Sequence, residues 1–312
     1  MKRLMFLIVL VMGCGRLQNN DVDEFRAASP SRQGIEIQVP AKGSALESDD
    51  LGQTGQALLG DTATWYQATR SVTVAVNGGT AWVLALCEAI IKFPATDVTD
   101  TEAVWGPWTD SLSPNTYKFT VTKAGTGYDY KLEGKDKSKG DDAFVRLIYG
   151  HHEPGQAKNQ GSGSFTADWD ACQTLPEHGQ EIGKGDFTYS RDAALAVTVG
   201  VAFKQVADND HPGQKVDANY AFAKAHEGDG SFEFKFTNAK AEKFTIKSRW
   251  HNDGDGRSDV KAFNSAGTEL GNVSECWGKT FLETYYLESW NPASIQGQET
   301  SCTFATAEFS TL

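Results

Sequence analysis

The chain has 312 residues, 39% of them hydrophobic and 11% aromatic, with a formal charge of −12. That is enough apolar content for the core of one or two domains. So acidic a balance argues against nucleic acid as a partner, because phosphate binding needs clustered Lys and Arg. Beyond Gly15 no apolar run approaches the ~18 residues of a membrane-spanning helix.

The chain opens MKRLMFLIVLVMGCG. Lys2 and Arg3 precede an unbroken apolar run, Leu4 to Met12, too short to span a bilayer but right for the core of a secretory signal. Gly13 directly before Cys14 resembles the lipobox of bacterial lipoproteins, although Met12 is larger than the residue usual at its position. The resemblance implies that residues 1–13 are a signal peptide and that Cys14 is lipidated and becomes the mature N-terminus. Gly15 rather than Asp after it implies the outer membrane by the enterobacterial sorting rule. The competing reading is an ordinary signal peptide with an incidental cysteine.

Export to an oxidising compartment permits disulfides. Besides Cys14 the chain has Cys87, Cys172, Cys276 and Cys302. Four cysteines allow three full pairings. Cys276 and Cys302 are close in sequence and are the favoured pair, whereas Cys87 sits in an apolar helical pattern as a buried thiol. No CxxC suggests zinc or thioredoxin-type chemistry.

Residues 14–60 are polar and read as a flexible tether, with one alternating stretch, Gly34 to Pro40, suited to an edge strand. Residues 61–312 read as a single β-rich domain. It opens with a helical hairpin at 61–93. Thr62 caps a first run carrying Trp65, Tyr66, Thr69, Val72 and Val76 at helical spacing, Asn77-Gly78-Gly79 breaks it, and a second run from Thr80 ends at Pro94. Ser71 to Val76 also alternates with period two, so a pair of strands competes for the first run.

Short segments rich in β-branched and aromatic residues follow. They are Val104–Trp108, Tyr117–Val121, Tyr128–Leu132, Ala143–Tyr149, Ser164–Trp169, Asp186–Ser190, Leu195–Phe203, Ala218–Ala223, Ser231–Phe236, Phe244–Trp250 and Val260–Phe263. Phe281, Tyr285 and Tyr286 fit a helix or a strand, and Cys302-Thr303-Phe304 reads as a last strand. A Gly-x-Gly element recurs at 125/127, 161/163, 183/185, 228/230 and 254/256, with Tyr128, Phe165, Phe187 and Phe232 just after four of them. Glycines of this kind suit tight hairpin turns. The expected fold class is α+β, β-dominant: an antiparallel up-and-down meander of about ten strands forming a barrel or half-barrel, with the N-terminal helical hairpin packed on it.

His251-Asn252-Asp253-Gly254-Asp255-Gly256-Arg257-Ser258-Asp259 is the most specific polar cluster. It resembles the calcium loop of integrin-like propeller repeats and the first half of an EF-hand loop. Alternate carboxylates with a glycine suit a hard, oxygen-seeking cation. Asp253, Asp255 and Asp259 are the candidate calcium ligands. His251 stands where a carboxylate belongs, Ala262 lacks the final acid, and a solvated hairpin turn is the competing reading. Trp250, Arg249 and Arg257 beside it suit a polar packing cluster. His151-His152-Glu153, before Pro154 and Gly155, reads as a loop, and neither it nor His178, His211 and His226 has metal-motif spacing. There is no GxSxG element, and the residues make no positive case for catalysis.

The helical hairpin, Trp105-Gly106-Pro107, the Gly-x-Gly turns, Ser248-Arg249-Trp250, Gly254-x-Gly256-Arg257 and Glu275-Cys276-Trp277 together resemble a group of uncharacterised lipoproteins of myxobacteria and their relatives, which implies no activity. The expected architecture is similar to the lipid-binding half-barrels of bacterial envelopes. The expected function is that of a non-enzymatic envelope lipoprotein, held to the membrane by an N-terminal lipid and taking a lipid or other apolar small molecule inside the curved sheet. The alternative is a structural or protein-interaction lipoprotein with a solid core, because eight Trp, nine Tyr and seventeen Phe also suffice to fill one.

Overall fold

A computed structural model of the chain describes residues 19–27, 39–40, 58–157, 160–207, 213–224, 228–237 and 241–312. Helix α1 is Asn19–Ala27 and helix α2 is Thr64–Ile91. Strands β1 (Asp97–Val98), β2 (Glu102–Trp108), β3 (Asn115–Ala124), β4 (Gly127–Asp136), β5 (Val145–Pro154) and β6 (Gly161–Asp168) precede a short helix α3, Trp169–Cys172. Strands β7 (Lys184–Arg191), β8 (Val197–Ala207), β9 (Lys215–Lys224), β10 (Gly230–Thr237) and β11 (Lys243–Trp250) follow. The last are β12 (Gly256–Phe263), β13 (Glu269–Trp277), β14 (Glu283–Glu288) and β15 (Asn291–Gly297).

Among the described residues these fifteen strands form one sheet, each paired antiparallel with the strand before it. This is the expected up-and-down meander, with more strands than expected. β1 and β15 are not paired with each other, so the hydrogen-bonded sheet is open. β13 and β15 escape the sequence pattern. Both faces of β13 are buried near its end, which removes the alternation that marks a half-buried strand. Tyr285 and Tyr286 lie in a strand. Cys302 to Phe304 do not, because the chain there crosses the sheet as a strap after a 3-10 turn at Glu299–Ser301.

The expected helical hairpin is one continuous helix. α2 runs 28 residues, about 42 Å at 1.5 Å per residue, straight through Asn77-Gly78-Gly79. Glycine inside a helix costs only about 1 kcal/mol, and the long apolar runs on both sides outweigh that. Part of the expected tether is also ordered by packing. In α1, Val22 and Phe25 are buried, three positions apart on one helical face. Of the stretch Gly34 to Pro40 only Val39 and Pro40 lie within the described residues.

One contiguous core joins α1, α2 and strands from β2 to β14. Much of it is a row of rings crossing the sheet. Phe165 stacks on Phe187 at 4.5 Å, Phe187 meets Phe203 at 5.8 Å, Phe203 meets Tyr220 at 5.7 Å and Tyr220 meets Phe232 at 6.1 Å. These are contact distances for aromatic pairs. The second glycine of several Gly-x-Gly elements lies inside a strand rather than in the turn. Gly163 pairs with Tyr189, Gly230 with Trp250 and Gly256 with Trp277. A Cβ on Gly256 would fall 2.3 Å from Trp277 Cζ2, so glycine there makes room for the ring.

The continuity of α2 has a direct test. Gly79→Pro should destabilise the protein by about 3 kcal/mol or more, because proline inside a helix removes a hydrogen bond and clashes with the preceding turn. Urea unfolding reads the effect; a turn at this position would tolerate the substitution.

Candidate functional site

Polar side chains are buried on both faces of β11–β14, and these two clusters are the densest polar chemistry among the described residues. Alternation assigns them. Ser248, Ser258 and Glu275 point to the side of α2; Arg249, Arg257, Asp259 and Ser274 point to the side crossed by the C-terminal strap.

On the α2 side the helix begins without an acidic residue in its first turn and without a side-chain cap of its own. Thr62, the expected cap, instead bridges to Leu282. The first N–H groups of a helix have no intrahelical partner. Glu275 of β13, 211 positions further along the chain, supplies it: Thr64 N donates to its Oε1 at 2.7 Å. Trp65 N and Tyr66 N donate to its Oε2 at 2.7 and 3.3 Å. A carboxylate at this position also meets the positive end of the helix dipole. Below it, Ser248 links Thr69 and Ser258, with both hydroxyl contacts at 2.6 Å.

Beside Glu275 lies Glu283, only 2% exposed, whose two oxygens have no donor. Buried without a donor, this carboxyl is favoured in its neutral form. Burial is the first cause that pushes both groups up, Glu275 to about 8 and Glu283 to about 7. The neighbouring Glu283 charge raises Glu275 further, against the backbone N–H bonds, and Asp61 raises Glu283. Burial likewise raises the Tyr286 phenol beside them.

On the strap side Asp259 is saturated. Arg257 Nε donates to its Oδ1 at 2.9 Å and Ser274 Oγ at 2.7 Å. Arg249 Nη2 and Glu308 N each donate to its Oδ2 at 3.0 Å. The same guanidiniums hold the strap: Arg257 binds Phe304 O and Glu299, and Arg249 binds Thr306 O and Glu308. Cys276 and Cys302 form the expected disulfide, packed with Tyr285.

The structure does not bring Asp253, Asp255 and Asp259 around one point. His251 to Asp255 form the hairpin turn between β11 and β12, closed by His251 N donating to Asp255 O at 2.9 Å. Asp253 pairs with Lys279, Asp255 accepts from Thr303, and Asp259 lies on the strand beyond, held by two arginines. Strand alternation and the pull of two buried guanidiniums decide its position. Among the described residues no group of three His, Cys, Asp or Glu side chains could hold a metal ion.

The expected loop at His151-His152-Glu153 belongs to β5. His152 is buried and bonds Tyr189 Oη at 2.8 Å; burial lowers its pKa. His151 lies between Asp129 and Glu153, whose hydrogen bonds raise it. His178 is exposed, and His211 and His226 lie outside the described residues. Cys172 is a half-buried free thiol pushed up to about 11 by burial, hence a poor nucleophile. The Cys87 side chain lies outside the described ones.

Glu275 and Glu283 were not among the expected site residues. The signal was present: in Val273-Ser274-Glu275-Cys276-Trp277 an acid falls on the same face as Val273 and Trp277. What the site does chemically is hold two covers, α2 and the strap, on opposite faces of one set of strands. Compared with protein families, with curated proteins and with solved structures, the chain matches none.

Two outcomes follow from this geometry. A folded-state pKa above the unfolded one means that the stabilisation by the Glu pair is full below about pH 4.5 and is lost as pH rises through 7 to 8. The melting temperature, followed by circular dichroism, should therefore fall over that window. Glu283→Gln should flatten the fall and be more stable than the parent at about pH 9 by on the order of 1–2 kcal/mol; an unchanged slope would exclude Glu283 as its source. On the other face, Arg257→Ala should cost about 3–5 kcal/mol, because it leaves a buried carboxylate short of a partner. Glu299→Gln, at a half-exposed partner, should cost under about 1 kcal/mol. Urea denaturation measures both.

Proposed function

We propose that this chain is a lipid-anchored protein of the bacterial cell envelope, non-enzymatic, whose domain is a solid-cored scaffold for interaction rather than a carrier of apolar ligands. The anchor rests on the N-terminal sequence: Lys2 and Arg3, the apolar run to Met12, and Gly13 before Cys14. The Cys276–Cys302 disulfide agrees with an oxidising compartment. By the sorting rule applied to Gly15, the membrane is the outer one.

The observation that carries the solid-core reading is the occupation of the sheet's inner face. In this reading the meander is a half-barrel with α2 as its filling. Trp65 packs on Phe244, and Tyr66 on Phe281 and Trp277, at centroid distances of 6.4, 4.6 and 5.5 Å. The row of rings from Phe165 to Phe232 continues this packing across β6–β10. An acyl chain would have to displace rings already in contact, and a well-packed interior yields volume only at a cost of about 1–3 kcal/mol for each group forced in.

Native mass spectrometry of protein purified from its own membrane tests both halves. The expected result is an acylated N-terminal cysteine with no further lipid bound at unit stoichiometry. A non-covalent lipid that survives detergent exchange would make the domain a carrier. Cys14→Ala should abolish incorporation of labelled palmitate into the protein, and labelling of the variant would refute Cys14 as the anchor.

A further inference from the structure

We propose that the lipid anchor seats the domain directly on the membrane, with the rim of the sheet that carries α1 and the β3–β4 turn facing a bilayer surface. This rests on the reading of Cys14 as the lipidated residue.

Helix α1 is fastened to the domain at several points. Phe25 is buried and meets Tyr128 edge-on at 5.9 Å. Glu24 accepts from Tyr128 Oη and pairs with Lys123 at 3.0 Å. Arg26 donates from Nε to Ile91 O at 2.8 Å and from Nη2 to Phe93 O at 3.3 Å, which ties α1 to the end of α2. The chain from Cys14 to Asn19, where α1 begins, is five residues long. Fully extended, five residues reach no further than about 18 Å. A leader free over the whole of 14–60 would instead have a root-mean-square reach of roughly 40 Å. The docking of α1 therefore converts a long tether into a short one.

The direction follows from the meander. Its turns alternate between two rims. The β3–β4 turn lies beside Lys123 and Tyr128 and hence beside α1. The β12–β13 turn lies on the other rim, one strand away, which for the eight residues of β12 is about 26 Å. Exposed Phe93 and Lys92, with the partly exposed Arg26 and Lys123, surround the docked helix. Aromatic and basic side chains suit the headgroup region. Arg26 and Lys123 are already paired with Asp23 and Glu24, so the contacts this rim offers to headgroups come from Lys92 and Phe93.

The test uses the lipidated protein in vesicles of phosphatidylethanolamine and phosphatidylglycerol containing a headgroup spin-labelled lipid. In a background with Cys87 and Cys172 replaced by alanine, a fluorophore is placed at Thr126→Cys, in the β3–β4 turn, or at Ser265→Cys, in the β12–β13 turn. Both positions are exposed. Quenching should be several-fold stronger at position 126. A Gly/Ser spacer of about twenty residues inserted between Cys14 and Asn19 should make the two positions equal. Equal quenching without the spacer, or stronger quenching at 265, overturns the seating. The mass of the Cys14 peptide from the same sample separates the two ideas: an unlipidated cysteine refutes the anchor and the seating together, whereas a lipidated one with equal quenching refutes the seating alone.

Discussion

The arrangement of the domain depends on one carboxyl group at the start of one helix. An open sheet of many strands exposes an apolar face and must cover it. α2 is the cover, yet its own sequence offers nothing to satisfy its first N–H groups. Glu275 reaches from β13 to take three of them. That bond set fixes where the helix starts, and Tyr66 then lands on Trp277 and Phe281. Burying a carboxyl is costly unless its charge is paired or removed. Here the helix N–H groups favour the charged form of Glu275, while burial without a donor favours the neutral form of Glu283. The fastening is consequently strong in acid and weaker in base.

The strands that hold the helix also hold the strap. β12 alternates Ser258 and Val260 toward α2 with Arg257 and Asp259 toward the C-terminal segment, and nearly all of the strand is buried. The strap covers a polar face, so it is held by a disulfide, two guanidiniums and its own carbonyls rather than by apolar burial. Glu308 and Glu299, both partly exposed, close the ion pairs at the edge where water screens them. The part of the sheet with two covers is therefore its most polar part, the reverse of a simple apolar core.

This division explains what could be read from the residues and what could not. The strands from Phe165 to Phe222 announce themselves because one face is apolar and the other is largely wet, so period-two patterning survives. In β13 and β14 both faces are buried, by different chemistries, and the pattern dissolves. The aspartates at 253, 255 and 259 have the spacing of a calcium loop, but Asp259 is claimed by arginines whose burial no local pattern reveals. The break expected at Asn77-Gly78-Gly79 reflects local propensity, whose penalty of about 1 kcal/mol per glycine does not interrupt the helix. Within α1, two apolar positions in a polar stretch were too few to signal a helix. Phe25 becomes visible as core only against Tyr128, a partner more than a hundred positions away.

The two classes of unusual residue, buried charges and paired glycines, answer the same problem. A meander of similar short strands is liable to slip in register, and a slip of one residue turns every side chain to the opposite face. Between β11 and β12, where Arg249 stands opposite Arg257, such a slip of β12 would turn Arg257 and Asp259 together toward α2 and leave Arg249 on the strap face without its carboxylate. Elsewhere the safeguard is steric. Gly163, Gly230 and Gly256 each sit under a ring of the facing strand, and a shifted register would set that ring against a side chain. The buried ion cluster is thus better understood as a register device than as a source of stability, since buried pairs offset little more than their own desolvation. The glycines perform the same task where the sheet has an apolar side to protect.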